Sequence, residues 1–158
     1  ENDCGSLIKE ILDISKKFNC KITCPIDVVV SKNIEGVGEN KGIKEINDDE
    51  MILDIGPKTI SLIKKIVNDS NTVLWNGPAG YFENPNFQTG TKEILEIISQ
   101  KTSSDKIFSV AGGGETIAAI NKFNKLDSFT FVSTAGGAFL EYLEGKTLPG
   151  IKALNQNV

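Results

Sequence analysis

The sequence has 158 residues, 39% of them hydrophobic and 24% charged, which is typical of a globular chain with room for one domain and its core. The formal net charge of -4 and the isoelectric point near 4.9 exclude a strongly basic surface, so we expect neither nucleic acid nor a membrane as a partner. Histidine is absent, which excludes Ser-His-Asp and Cys-His nucleophile systems and most zinc sites.

The cysteines indicate a reducing environment. Cys4, Cys20 and Cys24 are odd in number, and the sequence shows neither a charged and apolar leader nor an apolar run of about 18 residues. Further metal ligands are lacking around Cys20 and Cys24, so we expect buried free thiols there. These features favour a cytoplasmic setting.

The first fifty residues predict a helix followed by short β-rich pieces. Residues 5–18 carry apolar side chains at helical spacing, and Asn19 is a suitable stop for that helix. The stretch from residue 20 to residue 30 then consists of two short β-rich pieces around Pro25. Residues 31–50 are polar and contain glycine, which is typical of an exposed loop or hairpin within one domain.

From residue 51 onward the chain repeats a short apolar strand, a glycine-containing turn and a helix. The four units are MILDIG with PKTISLIKKIVND, TVLWNG with GTKEILEIISQK, KIFSVAGGG with ETIAAINKF, and FTFVSTAGG with AFLEYLEG. Pro57 suits a first helical turn, and Gly145 closes the last helix. This alternation predicts an α/β fold, a Rossmann-like parallel sheet flanked by helices, with ligands at the carboxyl ends of its strands.

The glycine turn AGGGET is the first candidate binding site. Gly112, Gly113 and Gly114 let the backbone approach a ligand closely, and the helix that follows favours a phosphate through its free amides and its dipole. Thr116 could bind phosphate or cap the helix, and Glu115 could hold magnesium through water or favour the helix dipole. The Walker and dinucleotide fingerprints are both absent from the sequence.

Two further turns are expected at the same sheet edge. Gly136 and Gly137 open the last helix, either to face the same cleft or to allow tight packing of helix on strand. The turn WNGPAGYFE begins at Trp75, a core candidate, and its Asn76 starts a rigid segment that leads to Glu83, a carboxylate able to bind a ribose. Asp54 ends an apolar strand and could serve a cation or a hydroxyl, or cap the helix of residues 57–68.

Together the motifs DIGPKT, WNGPAGYFE, AGGGET and VSTAGGAFLEYLEGKTLPGIKAL resemble phosphoglycerate kinase, in the family's order and spacing, from about residue 5 onward. Family members are two-domain enzymes more than twice as long. The resemblance therefore implies that residues 1–158 are one partial domain, an incomplete C-terminal nucleotide-binding domain. The substrate-binding N-terminal domain and the segment GAKVSDK of the family are expected to be absent.

The resemblance also implies a reaction and a ligand. The family transfers a phosphoryl group between 1,3-bisphosphoglycerate and ADP, giving 3-phosphoglycerate and ATP, with Mg2+ on the nucleotide. The phosphoglycerate substrate is bound through the absent domain. By analogy the parent enzyme is a monomer, whereas this piece is expected to self-associate, because a missing first strand and helix would expose a sheet edge.

The family's roles can be carried over to matching positions of this sequence. The resemblance assigns the nucleotide phosphates and magnesium to Gly112, Gly113, Gly114, Glu115 and Thr116, with Glu115 as the metal residue.

The resemblance likewise implies that Asn76 lies near the phosphates, Glu83 on the ribose and Leu53 in the adenine pocket. It also implies that Gly136 and Gly137 supply the catalytic amides at the transferred group.

Departures from the family pattern are Glu115 for Asp, Ala135 for Gly and Ile52 for Gly. We expect the parent protein to be an active kinase and this chain alone to be inactive. Two alternatives remain: a non-catalytic α/β nucleotide- or phosphate-binding fragment, and an unrelated binder of another phosphorylated ligand.

Overall fold

The computed structural model describes residues 4–155, in which helices and strands alternate. The helices are α1 (Gly5–Lys17), α2 (Pro57–Asn68), α3 (Thr89–Ser103), α4 (Gly114–Lys122), α5 (Gly137–Leu143) and α6 (Pro149–Asn155). The strands are β1 (Asp27–Ser31), β2 (Glu39–Gly42), β3 (Met51–Ile55), β4 (Thr72–Trp75), β5 (Phe108–Ala111) and β6 (Phe131–Val132). None of the helices in this range has the length and apolar character needed to span a bilayer.

The helix boundaries follow the residues that start and stop helices. Pro57 occupies the first position of α2, where a backbone amide would have no intrahelical acceptor. Asn19 and Gly145 adopt positive φ angles of 51° and 80° just beyond α1 and α5, a conformation that ends a helix. The helix predicted near the start and those of the four repeated units are therefore confirmed.

Strands β4, β5 and β6 form a parallel sheet in that order. Trp75 lies beside Ala111, and Ala111 lies beside Val132, so the strands end in line with one another. Helices α2, α3 and α4 pack their apolar residues into the core on one side of this sheet. The predicted α/β fold, a parallel sheet flanked by helices, is thus confirmed.

Strand β3 does not belong to this parallel sheet, although the sequence pattern placed it there. It pairs antiparallel with β1 in a second sheet of order β2-β1-β3, with an irregularity between Val29 and Val30. The prediction was wrong because an apolar run indicates a buried strand without specifying its partner. The hairpin expected within residues 31–50 is present, since β2 pairs antiparallel with β1.

The first of the two β-rich pieces around Pro25 forms no strand. Residues 20–26 have no strand assignment and are exposed, and strand structure begins only at Asp27. Cys4, Cys20 and Cys24 are exposed free thiols, so the prediction that Cys20 and Cys24 are buried was also wrong. Helix α1 precedes this segment and contains no buried residue.

The core lies between the parallel sheet and helices α2, α3 and α4. Trp75 is 7% exposed and stacks on Phe129, with ring centroids 6.0 Å apart. Leu95, Ile98 and Ile120 are almost fully buried in the same cluster. The prediction that Trp75 is a core residue is confirmed, and its burial anchors the end of β4 in the core.

The opposite face of the parallel sheet is apolar and bare. Successive strand side chains alternate between faces, and the register puts Leu74, Phe108, Val110 and Phe131 on one side. The exposed fractions of Leu74, Phe108 and Phe131 are 45%, 52% and 56%. Because parallel sheets are normally covered on both faces, this exposed apolar face is a candidate surface for association.

Candidate functional site

Three turns meet at the carboxyl edge of the parallel sheet. They follow β4 at Asn76, β5 at Gly112 and β6 at Ser133. The amide of Gly112 donates to the carbonyl of Trp75 at 3.0 Å, and the amide of Ser133 donates to the carbonyl of Ala111 at 2.8 Å. These bonds continue the strand ladder by one residue, so the turns leave the sheet side by side, as the sequence predicted.

The second turn depends on a glycine at position 113. Gly113 has φ 91° and precedes the first residue of α4, and a Cβ built on it would lie only 2.6 Å from Oδ1 of Asn76. Around Gly114, by contrast, the space within 4 Å of a built Cβ is open. The amides of Gly114, Glu115 and Thr116 lie in the first helical turn and lack intrahelical acceptors, so they can be offered to an anion.

Thr116 joins the first turn to the second. Its side chain is fully buried, and its Oγ1 accepts a hydrogen bond of 2.6 Å from the amide of Gly77. The hydroxyl does not cap α4, which has no side-chain cap at its N-terminus. In this structure Thr116 holds the two turns together, and its hydroxyl proton is still available to a further acceptor.

Phe139 joins the second turn to the third. A Cβ built on Gly112 would lie 2.5 Å from Cδ1 of the Phe139 ring, so glycine is required for α5 to pack this closely. Gly136 has φ 55° and precedes α5, and space is open around both Gly136 and Gly137. Tight packing of helix on strand therefore does not require a glycine at 136 or 137, because the close contact falls on Gly112, whereas Gly136 and Gly137 face free space as expected for residues beside a cleft.

Glu115 is exposed in the first turn of α4. Among residues 4–155, no group of three or more Cys, Asp or Glu side chains is arranged to hold a metal ion. A single carboxylate nevertheless suits Mg2+, which commonly takes one or two protein carboxylates and fills its other positions with water and phosphate oxygens. The single exposed carboxylate of Glu115 is thus compatible with magnesium that a nucleotide carries.

Glu83 lies on the loop that connects β4 to α3, away from the glycine turns in sequence. It is exposed and lines an open groove of about 360 Å³ together with Tyr81, Ile34, Glu35, Asn84 and Pro85. Helix α4 reaches this loop through Lys122, whose Nζ donates to the carbonyls of Phe82 and Glu83 at 2.5 and 3.1 Å. The loop that carries Glu83 is thus attached to the helix that begins at the glycine turn.

Leu53 lies in β3, in the antiparallel sheet rather than beside the glycine turns. Its side chain is only 9% exposed, and its carbonyl accepts a hydrogen bond of 2.7 Å from the amide of Tyr81. The neighbouring Ile52 is 58% exposed. The structure therefore connects Leu53 to the loop of Glu83 through backbone, while Ile52 presents its side chain to solvent.

Asp54 fixes the base of that loop. It is buried, and its two carboxylate oxygens accept hydrogen bonds of 2.8 Å from the amides of Ile55 and Gly90. Burial raises its pKa, opposed by these backbone hydrogen bonds. A Cβ on Gly80 would lie 2.4 Å from Oδ1 of Asp54, so the loop packs directly on the carboxylate. Asp54 therefore holds the start of α3, not the helix of residues 57–68.

The cap of α2 comes instead from Asp27, which the sequence did not indicate. Its carboxylate accepts hydrogen bonds from the amides of Lys58 at 3.0 Å and Thr59 at 2.7 Å, and from the Thr59 hydroxyl at 2.7 Å. Burial raises the pKa of Asp27, but the hydrogen bonds from Lys58 and Thr59 outweigh that effect and hold the pKa below its usual value. A separation of about thirty residues hides such a cap from local patterns.

Comparison with known proteins agrees with this arrangement. The family model described as phosphoglycerate kinase matches residues 1–146. Relatives with the name phosphoglycerate kinase include those of Xanthobacter autotrophicus, 42% identical over 158 residues, and Francisella philomiragia, 46% identical over 158 residues. Each alignment covers 99% of this chain and 40% or 39% of the relative, so the chain spans about 40% of the length of these relatives.

Solved structures give the same result. Phosphoglycerate kinase from Coxiella burnetii superposes with a TM-score of 0.89 at 37% identity, covering 99% of this chain and 40% of that chain. The enzyme from Pyrococcus horikoshii superposes with a TM-score of 0.76 at 31% identity, covering 95% and 36%. The fold described above is therefore shared with part of these larger proteins.

Proposed function

Because this chain belongs to the phosphoglycerate kinase family, we propose that it holds the magnesium-nucleotide in phosphoryl transfer between 1,3-bisphosphoglycerate and ADP, which gives 3-phosphoglycerate and ATP. The observation that carries the proposal is the meeting of three turns at one sheet edge, joined by Thr116 and Phe139. Such an edge is the usual ligand site of parallel α/β sheets. Two of these turns lead directly into helices, α4 and α5.

The nucleotide phosphates are proposed to lie over the turn Gly112–Thr116. The amide of Gly112 is used within the sheet, so the donors for phosphate are those of the first turn of α4, aided by the helix dipole. Asn76, whose Oδ1 would lie 2.6 Å from a Cβ built on Gly113, is proposed to lie beside the same phosphates. Glu115 would share in holding Mg2+ that travels with the nucleotide and neutralises its phosphate charge.

Gly136 and Gly137 are proposed to serve the group in transfer. In the reaction a β-phosphate oxygen of ADP bonds to phosphorus as the bond between phosphorus and the acyl oxygen breaks, and negative charge spreads over the remaining oxygens. Backbone amides in open space can stabilise that charge without proton transfer. A chain without histidine is compatible with this chemistry, since neither nucleophile nor leaving group requires a general base.

The nucleoside is proposed to extend toward the loop of Glu83. The exposed Glu83 carboxylate can accept hydrogen bonds from ribose hydroxyls, and the groove beside Tyr81 is open to solvent. Leu53 would support the adenine side, acting through the backbone contact of β3 with Tyr81 as much as through its largely buried side chain.

A second candidate is favoured by the coverage of about 40% of each relative. By itself this stretch could act as a non-catalytic nucleotide-binding unit, with phosphoglycerate bound elsewhere. The two candidates differ in one measurement. Both predict MgADP binding by this chain, but only the first predicts that a protein in which this sequence is joined to a phosphoglycerate-binding domain forms ATP from 1,3-bisphosphoglycerate and ADP.

Position 114 offers a direct test of the phosphate site. Gly114→Asp places a carboxylate in open space at a helix N-terminus, where the fold tolerates it, and Gly114→Asn is a matched neutral control of the same shape. Two like charges about 4 Å apart repel by ~1 to ~4 kcal/mol between water and a protein surface. We therefore expect the MgADP affinity measured by calorimetry to be roughly tenfold or more weaker for Gly114→Asp than for Gly114→Asn. Equal affinities in two folded variants would contradict the proposed site.

A further inference from the structure

Helix α4 contacts the loop between β4 and α3 at both of its ends. At its first turn, Thr116 accepts a hydrogen bond from the amide of Gly77 at 2.6 Å. At its last turn, Lys122 donates to the carbonyls of Phe82 and Glu83 at 2.5 and 3.1 Å. The loop, residues 76–88, is therefore held near its start and near its middle by a single rigid element.

The Lys122 ammonium is well suited to this contact. Its Nζ lies 5.8 Å from the ring centroid of Phe82 and 5.9 Å from that of Phe123, within the range of cation–π attraction. Phe82 is only 4% exposed, so the backbone that Lys122 binds is anchored by a buried ring. Charge-assisted hydrogen bonds are stronger than neutral ones and hold their partners at defined distances.

The same contact determines where the Glu83 side chain begins. Of the two carbonyls bound by Lys122, that of Phe82 precedes Glu83 and that at 3.1 Å belongs to Glu83 itself, whereas the Glu83 side chain is exposed. Without the ammonium group, the peptide units at 82 and 83 lose a shared donor and gain freedom to rotate. A carboxylate at the end of two methylene groups would then be spread over several positions.

We propose that Lys122 is a positioning residue for ribose recognition, fixing Glu83 at a set distance from the phosphate turn that opens the same helix. This inference rests on the proposed nucleotide function. Lys122 touches neither ribose nor phosphate; it acts through the backbone of Glu83. One helix thereby sets the spacing between the phosphate end and the ribose end of the nucleotide.

The test compares ADP with 2′,3′-dideoxy-ADP, which lacks the ribose hydroxyls, by calorimetry with magnesium on purified protein carrying this sequence. Wild type is expected to bind ADP about tenfold or more tighter than the dideoxy analogue, the size of a hydrogen bond to a charged group. Lys122→Met keeps the aliphatic stem and removes the donor. It should lose most of that discrimination while its affinity for the analogue stays unchanged.

Two controls accompany this variant. Lys122→Arg retains a cationic donor and should restore discrimination at least in part. Lys125→Met removes the same charge from the residues just after α4, where Lys125 pairs with Glu96 at 3.3 Å, and should leave discrimination intact.

Each outcome is decisive. A Lys122→Met variant that binds both ligands more weakly by the same factor would overturn the inference and indicate general support of the fold. Equal binding of ADP and its analogue by wild type would also overturn it, while leaving the phosphate site standing. Absence of any ADP binding by folded wild type would reject the proposed function itself.

Discussion

Replacing Gly113 with alanine is the perturbation whose effect follows most directly from the structure. The residue has φ 91° and ψ 142°, a backbone conformation populated essentially by glycine, in which another residue costs about 1–3 kcal/mol. The added Cβ would also lie 2.6 Å from Oδ1 of Asn76, a side-chain atom that can move at modest cost. We expect Gly113→Ala to lower the free energy of unfolding by about 2 kcal/mol, within the range of about 1–3 kcal/mol for residues held in rare backbone conformations.

Gly114→Ala is the matched control, because it adds the same methyl group one residue later. Position 114 is the first residue of α4 and has open space around a built Cβ. Alanine is favoured over glycine in helices by up to about 1 kcal/mol, so this variant should be unchanged or slightly more stable.

The assay is urea unfolding followed by the fluorescence of Trp75, the single tryptophan, which is buried in the core. In a parallel thermal unfolding experiment, the same loss of about 2 kcal/mol corresponds to a drop in Tm of roughly 4–8 °C for a chain of this length. The double variant Gly113→Ala/Asn76→Ala should regain the stability lost to the clash between the added Cβ and Asn76. It should still lack the stability lost to the unfavourable backbone conformation at position 113. Equal stability of Gly113→Ala and Gly114→Ala would refute the reasoning from φ and from the Asn76 contact.

Three further predictions concern stability and association. Asp27→Ala should destabilise the fold by about 2–3 kcal/mol in urea because buried donors of α2 lose their acceptor, with Asp27→Asn less affected. The pKa of Asp27 is lower in the folded chain than in the unfolded chain, where it is near 4. The stabilisation by its carboxylate is therefore present above the unfolded pKa and is lost as pH falls through the folded pKa. A difference in unfolding free energy between wild type and Asp27→Asn that persists unchanged at pH 2 would contradict this. Gly80→Ala should lower the free energy of unfolding by about 3 kcal/mol in thermal unfolding, because its added Cβ would lie 2.4 Å from Asp54 Oδ1 and 2.6 Å from a backbone oxygen. Unchanged stability would contradict the close packing of this loop on Asp54. The bare sheet face should cause the 158-residue chain to self-associate, as measured by sedimentation. The double variant Phe108→Ser/Phe131→Ser should reduce the association, whereas Val37→Ser, a control away from this face, should not. A monomer at all concentrations would contradict the prediction.

Local chemistry accounts for the part of the fold that could be predicted from sequence. Pro57, Gly145 and Asn19 act on their own backbone, so the helix ends they produce are visible in the residues themselves. The glycine turns could be assigned to one sheet edge because every parallel strand in a βαβ series ends on the same side.

Non-local pairing accounts for what could not be predicted. The apolar run of β3 suits either sheet, and only its antiparallel bonds to β1 decide between them. Asp27 caps a helix about thirty residues away, and Lys122 binds a loop forty residues away, which no periodicity records. The exposure of Cys20 and Cys24 likewise depends on how that segment packs on the rest of the fold, which its local apolar pattern does not specify.

The contact between Phe139 and Gly112 restricts how this sequence can change by mutation. The ring of Phe139 lies where any side chain at 112 would begin, so a larger residue at 112 can be accommodated only together with a smaller one at 139. Two single substitutions that are each harmful can thus be tolerated as a pair. Among descendants of this sequence we expect the two positions to covary, although one directly follows a strand and the other lies in a helix more than twenty residues later.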